Sequence, residues 1–288
     1  MTVIGVFDII LIVLIGIIEG ITEWLPVSST GHMLIFDEFF RFNASADFKE
    51  FFFVVIQLGA ILAVVTVFFK KMIPLEIETI APVNGENGKT GKKLRLKTDT
   101  LMLWLKVAVA CIPSAVIGLL FDDVLSEYFG SPYVVAVMLA VYGIAFIIVE
   151  KLLVHRTPKC DSLENITFLQ AILIGLFQVL SLIPGTSRSG ATIIGALIIG
   201  VGRTVGAEFT FFLAVPTMLG ASALKLFKYG FALTGAEIAA IAIGAAVAYA
   251  VSLVAIKFLM DFVKKHSFTV FGCYRIALGC AVLLLTLI

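Results

Sequence analysis

Apolar runs about as long as a bilayer is thick follow one another along the chain. A hydrocarbon core of about 30 Å requires roughly 20 apolar residues in a helix. Segments 51–70, 101–121, 133–153, 207–227, 237–260 and 269–288 meet that length and predict six full membrane-spanning helices. Two further apolar regions are interrupted. Residues 3–25 carry Glu19 and Glu23 and run into Pro26-Val27-Ser28-Ser29-Thr30-Gly31-His32 before a short apolar stretch, 33–40. Residues 166–183 run into Pro184-Gly185-Thr186-Ser187-Arg188-Ser189-Gly190 and then 191–200. Each of these predicts helix, break, helix. The expected fold is all-α: a polytopic membrane protein with six full spans and two broken re-entrant hairpins, in one integral membrane domain over 1–288. The longest polar stretch, 72–99, contains Asn84-Gly85-Glu86-Asn87-Gly88-Lys89 and reads as a flexible loop.

The basic residues sort the connections into two sides. Lys70, Lys71, Lys89, Lys92, Lys93, Arg95, Lys97, Lys151, Arg156, Lys159, Arg203, Lys264 and Lys265 fall on one side; Arg41, Lys49, Lys225 and Lys228 fall on the other. The first set marks the cytoplasmic face of a plasma membrane. With 70–99 and 151–165 both inside, the hairpin 166–200 enters and leaves from the cytoplasm, and the N-terminal hairpin from the opposite face. Matching text supports an inverted-topology repeat. Ile15-Gly16-x-x-Glu19 precedes the first break and Ile174-Gly175-x-x-Gln178 the second, and Leu58-Gly59-Ala60 is echoed by Leu219-Gly220-Ala221, at offsets of 159 and 161 residues. The pseudo-repeats fall at about 1–121 and 133–260. Such repeats place their site near the midplane, where broken helix ends meet.

Composition strengthens the membrane reading and removes others. The chain is 60% hydrophobic and 14% charged, where a soluble domain carries about 25% charge. A net charge of +1 leaves no electrostatic case for nucleic acid. Cys111, Cys160, Cys273 and Cys280 have no C-x-x-C spacing and read as structural thiols rather than a disulfide framework or zinc site. Residues 1–7 hold no Lys or Arg, and no small-x-small site ends the first apolar run, so a cleaved signal peptide is not expected.

The candidate chemistry lies in the breaks. Glu19, Glu23 and Arg188 together would cost about 8–10 kcal/mol if unpaired and facing lipid, so they must face protein and find partners. Glu19 and Glu23, four residues apart, share a helix face; two close carboxylates share a proton or hold a hard divalent cation such as Mg²⁺ or Ca²⁺. Ser28, Ser29 and Thr30 precede one helical stretch, and Gly185, Ser187, Ser189 and Thr192 surround Arg188 at the start of another. Capping hydroxyls, free N–H groups and a guanidinium fork are anion-binding features. Two such loops converging would cradle a diphosphate. His32 is suited to act as nucleophile or general acid/base. Arg275 and Lys257 read as snorkelling near span ends and Lys106 as lying near an interface. Asp122, Asp123 and Glu127 read as a solvated outer loop, and Pro113 and Pro216 as helix kinks.

Glu19-Gly-Ile-Thr-Glu23-Trp-Leu-Pro26-Val-Ser-Ser29-Thr-Gly-His32 and Pro184-Gly-Thr-Ser-Arg188-Ser-Gly-Ala-Thr192 resemble the undecaprenyl-diphosphate phosphatase family, also called the bacitracin-resistance family. Phe53-Val-Val-Ile-Gln57-Leu-Gly-Ala60 and Phe212-Leu-Ala-Val-Pro216 are similar to it as well. The resemblance implies hydrolysis of a C55 polyprenyl diphosphate to the monophosphate, recycling the lipid carrier of cell-wall synthesis. It implies a divalent-metal dependence met at Glu19 and Glu23, a site open to the outside, and functional roles for Glu23, Ser29, His32 and Arg188. Ser29, His32 and water all stay open as the nucleophile. The partners expected are the polyprenyl diphosphate, the bilayer and a second copy of the chain in a homodimer. The rival reading is a polyprenyl-phosphate or ion-coupled transporter.

Overall fold

The computed structural model describes residues 5–40, 42, 44–80 and 91–287. The first half contains α1 (Val6–Thr22), α2 (Ser29–Phe40), α3 (Ala46–Val55), α4 (Gln57–Val67), the short α5 (Phe69–Met72), α6 (Thr98–Phe129) and α7 (Pro132–Leu153). The second contains α8 (Phe168–Val179) with a 3₁₀ turn at Leu180–Leu182, α9 (Arg188–Ile198), α10 (Arg203–Tyr229), α11 (Gly235–Val263) and α12 (Thr269–Leu287). Six stretches are long and apolar enough to cross a bilayer: Ala46–Val67, Thr98–Phe121, Pro132–Leu153, Arg203–Tyr229, Gly235–Val263 and Thr269–Leu287. They match the six expected spans, with ends shifted by a few residues. The protein is a multi-pass, all-α membrane protein. α1, α2, α8 and α9 have 17, 12, 12 and 11 residues, too few for the roughly 20 a full span needs.

The order of elements repeats along the chain. Adding 159 to α1, α2 and the α3–α4 span carries each onto α8, α9 and α10. The two breaks repeat in backbone detail. Ser28 and Ser187, also 159 apart, are the non-glycine residues with positive φ among the described positions, at 74° and 70°. Each turns its hydroxyl onto the helix that follows: Ser28 Oγ accepts from Gly31 N at 3.4 Å, and Ser187 Oγ from Gly190 N at 3.3 Å. A left-handed Ser costs energy that only over-determined surroundings sustain.

Helix packing follows the same pairing. α1 packs on α11, and its counterpart α8 packs on α6. α7 packs on α12. Without a hydrophobic drive in lipid, such contacts rely on small residues that let backbones approach. A Cβ on Gly16 would lie 2.8 Å from the Gly244 carbonyl, and one on Gly175 would lie 2.2 Å from that of Ala110. Between α7 and α12 the approach is reciprocal: Gly143 faces the Gly272 carbonyl and Gly272 faces that of Gly143. Pro113 and Pro216 lie inside α6 and α10.

Two expectations change. Segment 72–99 is not a plain loop: β1 (Leu75–Ile80) and β2 (Gly91–Leu96) pair antiparallel, with Leu75 opposite Leu96. The Asn84–Lys89 stretch lies outside the described residues. Positions 122, 123 and 127 belong to the last turns of α6 rather than to a loop, because about two further turns of helix satisfy backbone groups that a loop at the membrane surface would leave to water. The basic residues do gather at one end. Lys70, Lys71, Arg95 and Lys97 border one cavity and Arg156, Lys159, Arg203 and Lys264 border another, and the two cavities share Asp161, Thr204 and Val205.

Packing at Gly59 gives a test. A Cβ there would lie 1.9 Å from the Ala245 carbonyl, whereas Gly220, its counterpart in the repeated Leu-Gly-Ala text, has nothing within 4 Å. Gly59→Ala is expected to lower the thermal midpoint in detergent, at a cost of about 1–3 kcal/mol for overpacking. Gly220→Ala is expected to leave the midpoint unchanged. Equal behaviour of the two variants would contradict the packing of α4 on α11.

Candidate functional site

α1 ends at Thr22, and the chain turns through Glu23 and Trp24 into the first break. Glu19 and Glu23 are both buried, one helical turn apart. α9 opens with Arg188 immediately after the second break. Its Nη2 donates to Glu23 Oε1 at 2.7 Å, and its Nη1 donates to the Thr210 carbonyl of α10 at 3.1 Å. The guanidinium carbon lies 5.8 Å from the centre of the Trp24 ring. Ser29 Oγ donates to the other oxygen of Glu23 at 3.3 Å. One carboxylate thus carries the hydroxyl that starts α2 on one oxygen and the guanidinium that starts α9 on the other. The first turns of two helices meet there, and first-turn N–H groups without intrahelical partners attract anions.

A layer of hydroxyls holds this pair. Ser189 Oγ donates to the Glu23 carbonyl at 3.2 Å, tying the second break to the first. Thr192 Oγ1 donates to the Arg188 carbonyl at 2.9 Å and accepts from Thr210 Oγ1 at 2.9 Å. Ser189 and Thr192 are fully buried, so the structure sets them behind Arg188 as supports. Ser28 is also buried and caps α2, while Ser187 is half-buried and lies 3.1 Å from Ser189 Oγ. Thr30 is exposed, and Ser29, His32 and Arg188 are partly exposed. Gly185, at φ 89°, brings the second break onto α7, where a Cβ would lie 2.6 Å from the Val135 carbonyl.

His32 adds a second polar arm. Its Nδ1 lies 2.7 Å from the Ser28 carbonyl, and its Nε2 lies 2.7 Å from the Tyr274 hydroxyl. A carbonyl only accepts, so Nδ1 carries the proton and the neutral ring's Nε2 accepts from Tyr274. The two rings stack at 5.6 Å. Several buried polar atoms at the junction have no protein partner: Glu19 Oε1, Trp24 Nε1, Thr186 Oγ1 and Arg188 Nε. Orphaned buried groups cost about 1–3 kcal/mol each, and their concentration here is what a polar ligand site requires.

A family model described as Bacitracin resistance protein BacA matches residues 12–281. The chain belongs to the BacA family. Among similar proteins is an Undecaprenyl-diphosphatase of Enterococcus faecalis, 58% identical over 281 residues and covering 98% of each chain. Another, from Desulfitobacterium hafniense, is 52% identical over 273 residues, 94% of each chain. Undecaprenyl-diphosphatase 1 of Clostridioides difficile is 53% identical over 271 residues, 94% of this chain and 93% of the relative. The resemblance read from the two break motifs is therefore the family of the whole chain.

In this BacA-family protein the largest departure from the sequence reading is Arg275. It does not snorkel at a span end. It is fully buried in α12, with Nη1 donating to the Pro26 carbonyl at 3.2 Å and Nη2 to the Gly185 and Thr186 carbonyls at 2.8 Å each. Pro26 and Gly185 are equivalent under the 159-residue offset, so one guanidinium holds the same carbonyl of both breaks. Its face lies 5.6 Å from the Tyr142 ring centre. Lys106 likewise points inward, donating to the Glu164 carbonyl at 3.0 Å. Tyr274, beside Arg275, was equally invisible as a partner for His32. An arginine six residues after the start and thirteen before the end of the apolar run 269–288 could have flagged the position, because no span end lies within one turn of it.

The brace is open to test. Arg275→Met removes the donors to three buried carbonyls and is expected to cost on the order of 3 kcal/mol or more, read as a lowered thermal midpoint together with loss of turnover. Arg275→Lys, which keeps a charge but not the fork, should fall between. An unchanged midpoint in Arg275→Met would remove the brace from the account.

Proposed function

We propose that this protein hydrolyses undecaprenyl diphosphate to undecaprenyl phosphate and inorganic phosphate. The observation that carries the reading is the Glu23 carboxylate, bound at once by the Ser29 hydroxyl and the Arg188 guanidinium where the two breaks meet. The family and the names of its relatives support the same substrate. The apolar tail stays in the bilayer while the diphosphate reaches the first turns of α2 and α9.

Arg188 presents a planar fork suited to phosphate oxygens. Phosphate arriving there competes with Glu23 for the guanidinium, which frees the carboxylate to take the Ser29 proton. Ser29 Oγ then attacks the terminal phosphorus, the P–O bond to the inner phosphate breaks, and undecaprenyl phosphate departs. Water hydrolyses the phosphoserine, with Glu23 or His32 moving the proton. Attack by His32 itself is the alternative assignment; its Nε2 lone pair would first have to release the Tyr274 hydroxyl.

Glu19 and Glu23 fit a divalent cation as a half-site. Glu19 Oε1 is buried without a protein partner, and among the described residues no group of three or more His, Cys, Asp or Glu could hold a metal alone. Mg²⁺ is commonly held by one or two carboxylates plus substrate phosphates, so the diphosphate would supply the remaining oxygens. When bound, the cation neutralises charge on the diphosphate. We place the protein in a bacterial plasma membrane with this site open to the outside and the basic face in the cytoplasm; assembly as a homodimer belongs to the same reading.

Purified protein in detergent is expected to release phosphate from a prenyl diphosphate. Arg188→Ala and Glu23→Ala should each cut turnover by about 100-fold or more, the scale of losing one preorganised charge-stabilising group. Full activity in Ser29→Ala would pass the nucleophile to His32 or water. Absence of release from any prenyl diphosphate, with or without Mg²⁺ or Ca²⁺, would contradict the phosphatase and leave the transporter. Chelator should lower turnover and either cation restore it; turnover indifferent to chelator would remove the cation. In a cysteine-free background, a membrane-impermeant thiol reagent on intact cells should label Ser131→Cys and miss His155→Cys. The reverse pattern would invert the orientation.

A further inference from the structure

We infer that the basic face carries a second phosphate site, one that takes the headgroup of an anionic amphiphile. The site is the cavity of about 390 Å³ between the end of α7, the 154–161 segment, the end of α9 and the start of α10. The inference stands on this cavity alone and is independent of the phosphatase reading.

The cavity has rigid walls. Lys159 N donates to the Gly200 carbonyl at 2.8 Å, Gly202 N donates to the Cys160 carbonyl at 2.8 Å, and Cys160 pairs with Val201 in a parallel bridge. Gly200 is at φ 90°, and the Lys159 side chain lies across it, 3.3 Å from where a Cβ would stand. The lining carries four cations, Arg156, Lys159, Arg203 and Lys264, against two acids, Glu150 and Asp161. Glu150 is buried and spent: its oxygens accept from Arg203 Nε at 2.9 and 3.1 Å, and Oε1 also accepts from the Phe268 amide at 2.9 Å. Arg156 and Lys159 form no ion pair among the described residues.

Two further observations favour phosphate on a lipid. The start of α10 opens into the cavity with Gly202 as its N-cap and no side-chain cap, whereas its counterpart α3 is capped by Ser45 Oγ, which accepts from Phe48 N at 3.2 Å. The first-turn N–H groups of α10 therefore face the cavity unsealed. The rim is apolar and exposed: Leu152, Val154 and Ile198 project outward beside the cavity. Cations and amides inside an apolar rim at a membrane surface suit a phosphate that arrives on acyl or prenyl chains. α9 connects this site to the other one, since Arg188 starts the helix and Ile198 ends it. Its 11 residues span about 16 Å.

Two lipids share the required chemistry, a phospholipid phosphodiester and a prenyl phosphate, and the test separates them. The full-length protein in nanodiscs of phosphatidylglycerol or phosphatidylcholine is ejected for native mass spectrometry, with farnesyl phosphate as competitor. Retention of phosphatidylglycerol over phosphatidylcholine is expected. Arg156→Gln/Lys159→Gln should weaken it by about 30-fold, roughly fivefold for each lost cation. Arg156→Lys/Lys159→Arg should keep it, which excludes a loss through misfolding. Displacement of the retained lipid by farnesyl phosphate in an Arg188→Ala background assigns the site to prenyl phosphate; persistence assigns it to phospholipid. Equal retention of the two phospholipids, or retention unchanged in the Gln pair, would overturn the site.

Discussion

A carboxylate and a guanidinium that cannot be left in lipid set the terms for this protein. Glu23 comes from one half of the chain and Arg188 from the other, and the pair meets at 2.7 Å with both side chains about nine-tenths buried. Each charge alone would carry a mid-membrane penalty of about 2.5–3.5 kcal/mol or more. Their mutual attraction offsets that cost only if the geometry is held and the remaining donors and acceptors are satisfied. The surrounding structure meets most of those conditions. Ser29 and the Thr210 carbonyl bond the charged groups, Ser189 and Thr192 hold the Glu23 and Arg188 carbonyls, and Arg275 fixes both breaks by their equivalent carbonyls, while Arg188 Nε has no protein partner.

The frame is nearly symmetric and the chemistry is not. Both halves offer a short helix, a left-handed Ser, a cap and a second short helix. Onto that frame the first half places Glu19, Glu23, Ser29 and His32. The second places Gln178, Leu182, Arg188 and Ala191 at the same offset. Gln178 is buried and donates to Ser114 Oγ at 2.6 Å and Thr217 Oγ1 at 3.3 Å, so a neutral network takes the position that a carboxylate holds in the other half. Repetition supplies two helix starts that face each other, and divergence supplies a carboxylate, a hydroxyl and a guanidinium on opposite walls.

Much of this was legible because membranes impose simple rules. Six apolar runs of bilayer length became six spans, and two runs interrupted by Pro, Gly and hydroxyl residues became the short broken helices. Glu23, Ser29 and Arg188 were legible as partners because charges in apolar text must meet something polar. Arg275 was not, since its acceptors are backbone carbonyls, which leave no mark on the sequence. Tyr274 was hidden for a related reason: an exposed aromatic on a span is ordinary until His32 is seen against it. Thr192 looked like a ligand contact from its place in the motif, but one helical turn beyond Arg188 it faces inward and bonds the Arg188 carbonyl. The ribbon of β1 and β2 was missed because its leucines alternate with charges over too few residues to stand out from a polar loop.

The most direct measurement is a double-mutant cycle on unfolding stability in detergent with Glu23→Gln, Arg188→Gln and the pair. Burial predicts that each single variant strands an unpaired charge and that the double variant loses far less than the sum, with a coupling on the order of 2 kcal/mol or more. Additive losses would mean that Glu23 and Arg188 do not sense each other, and the junction of the two breaks would no longer be the centre of this protein.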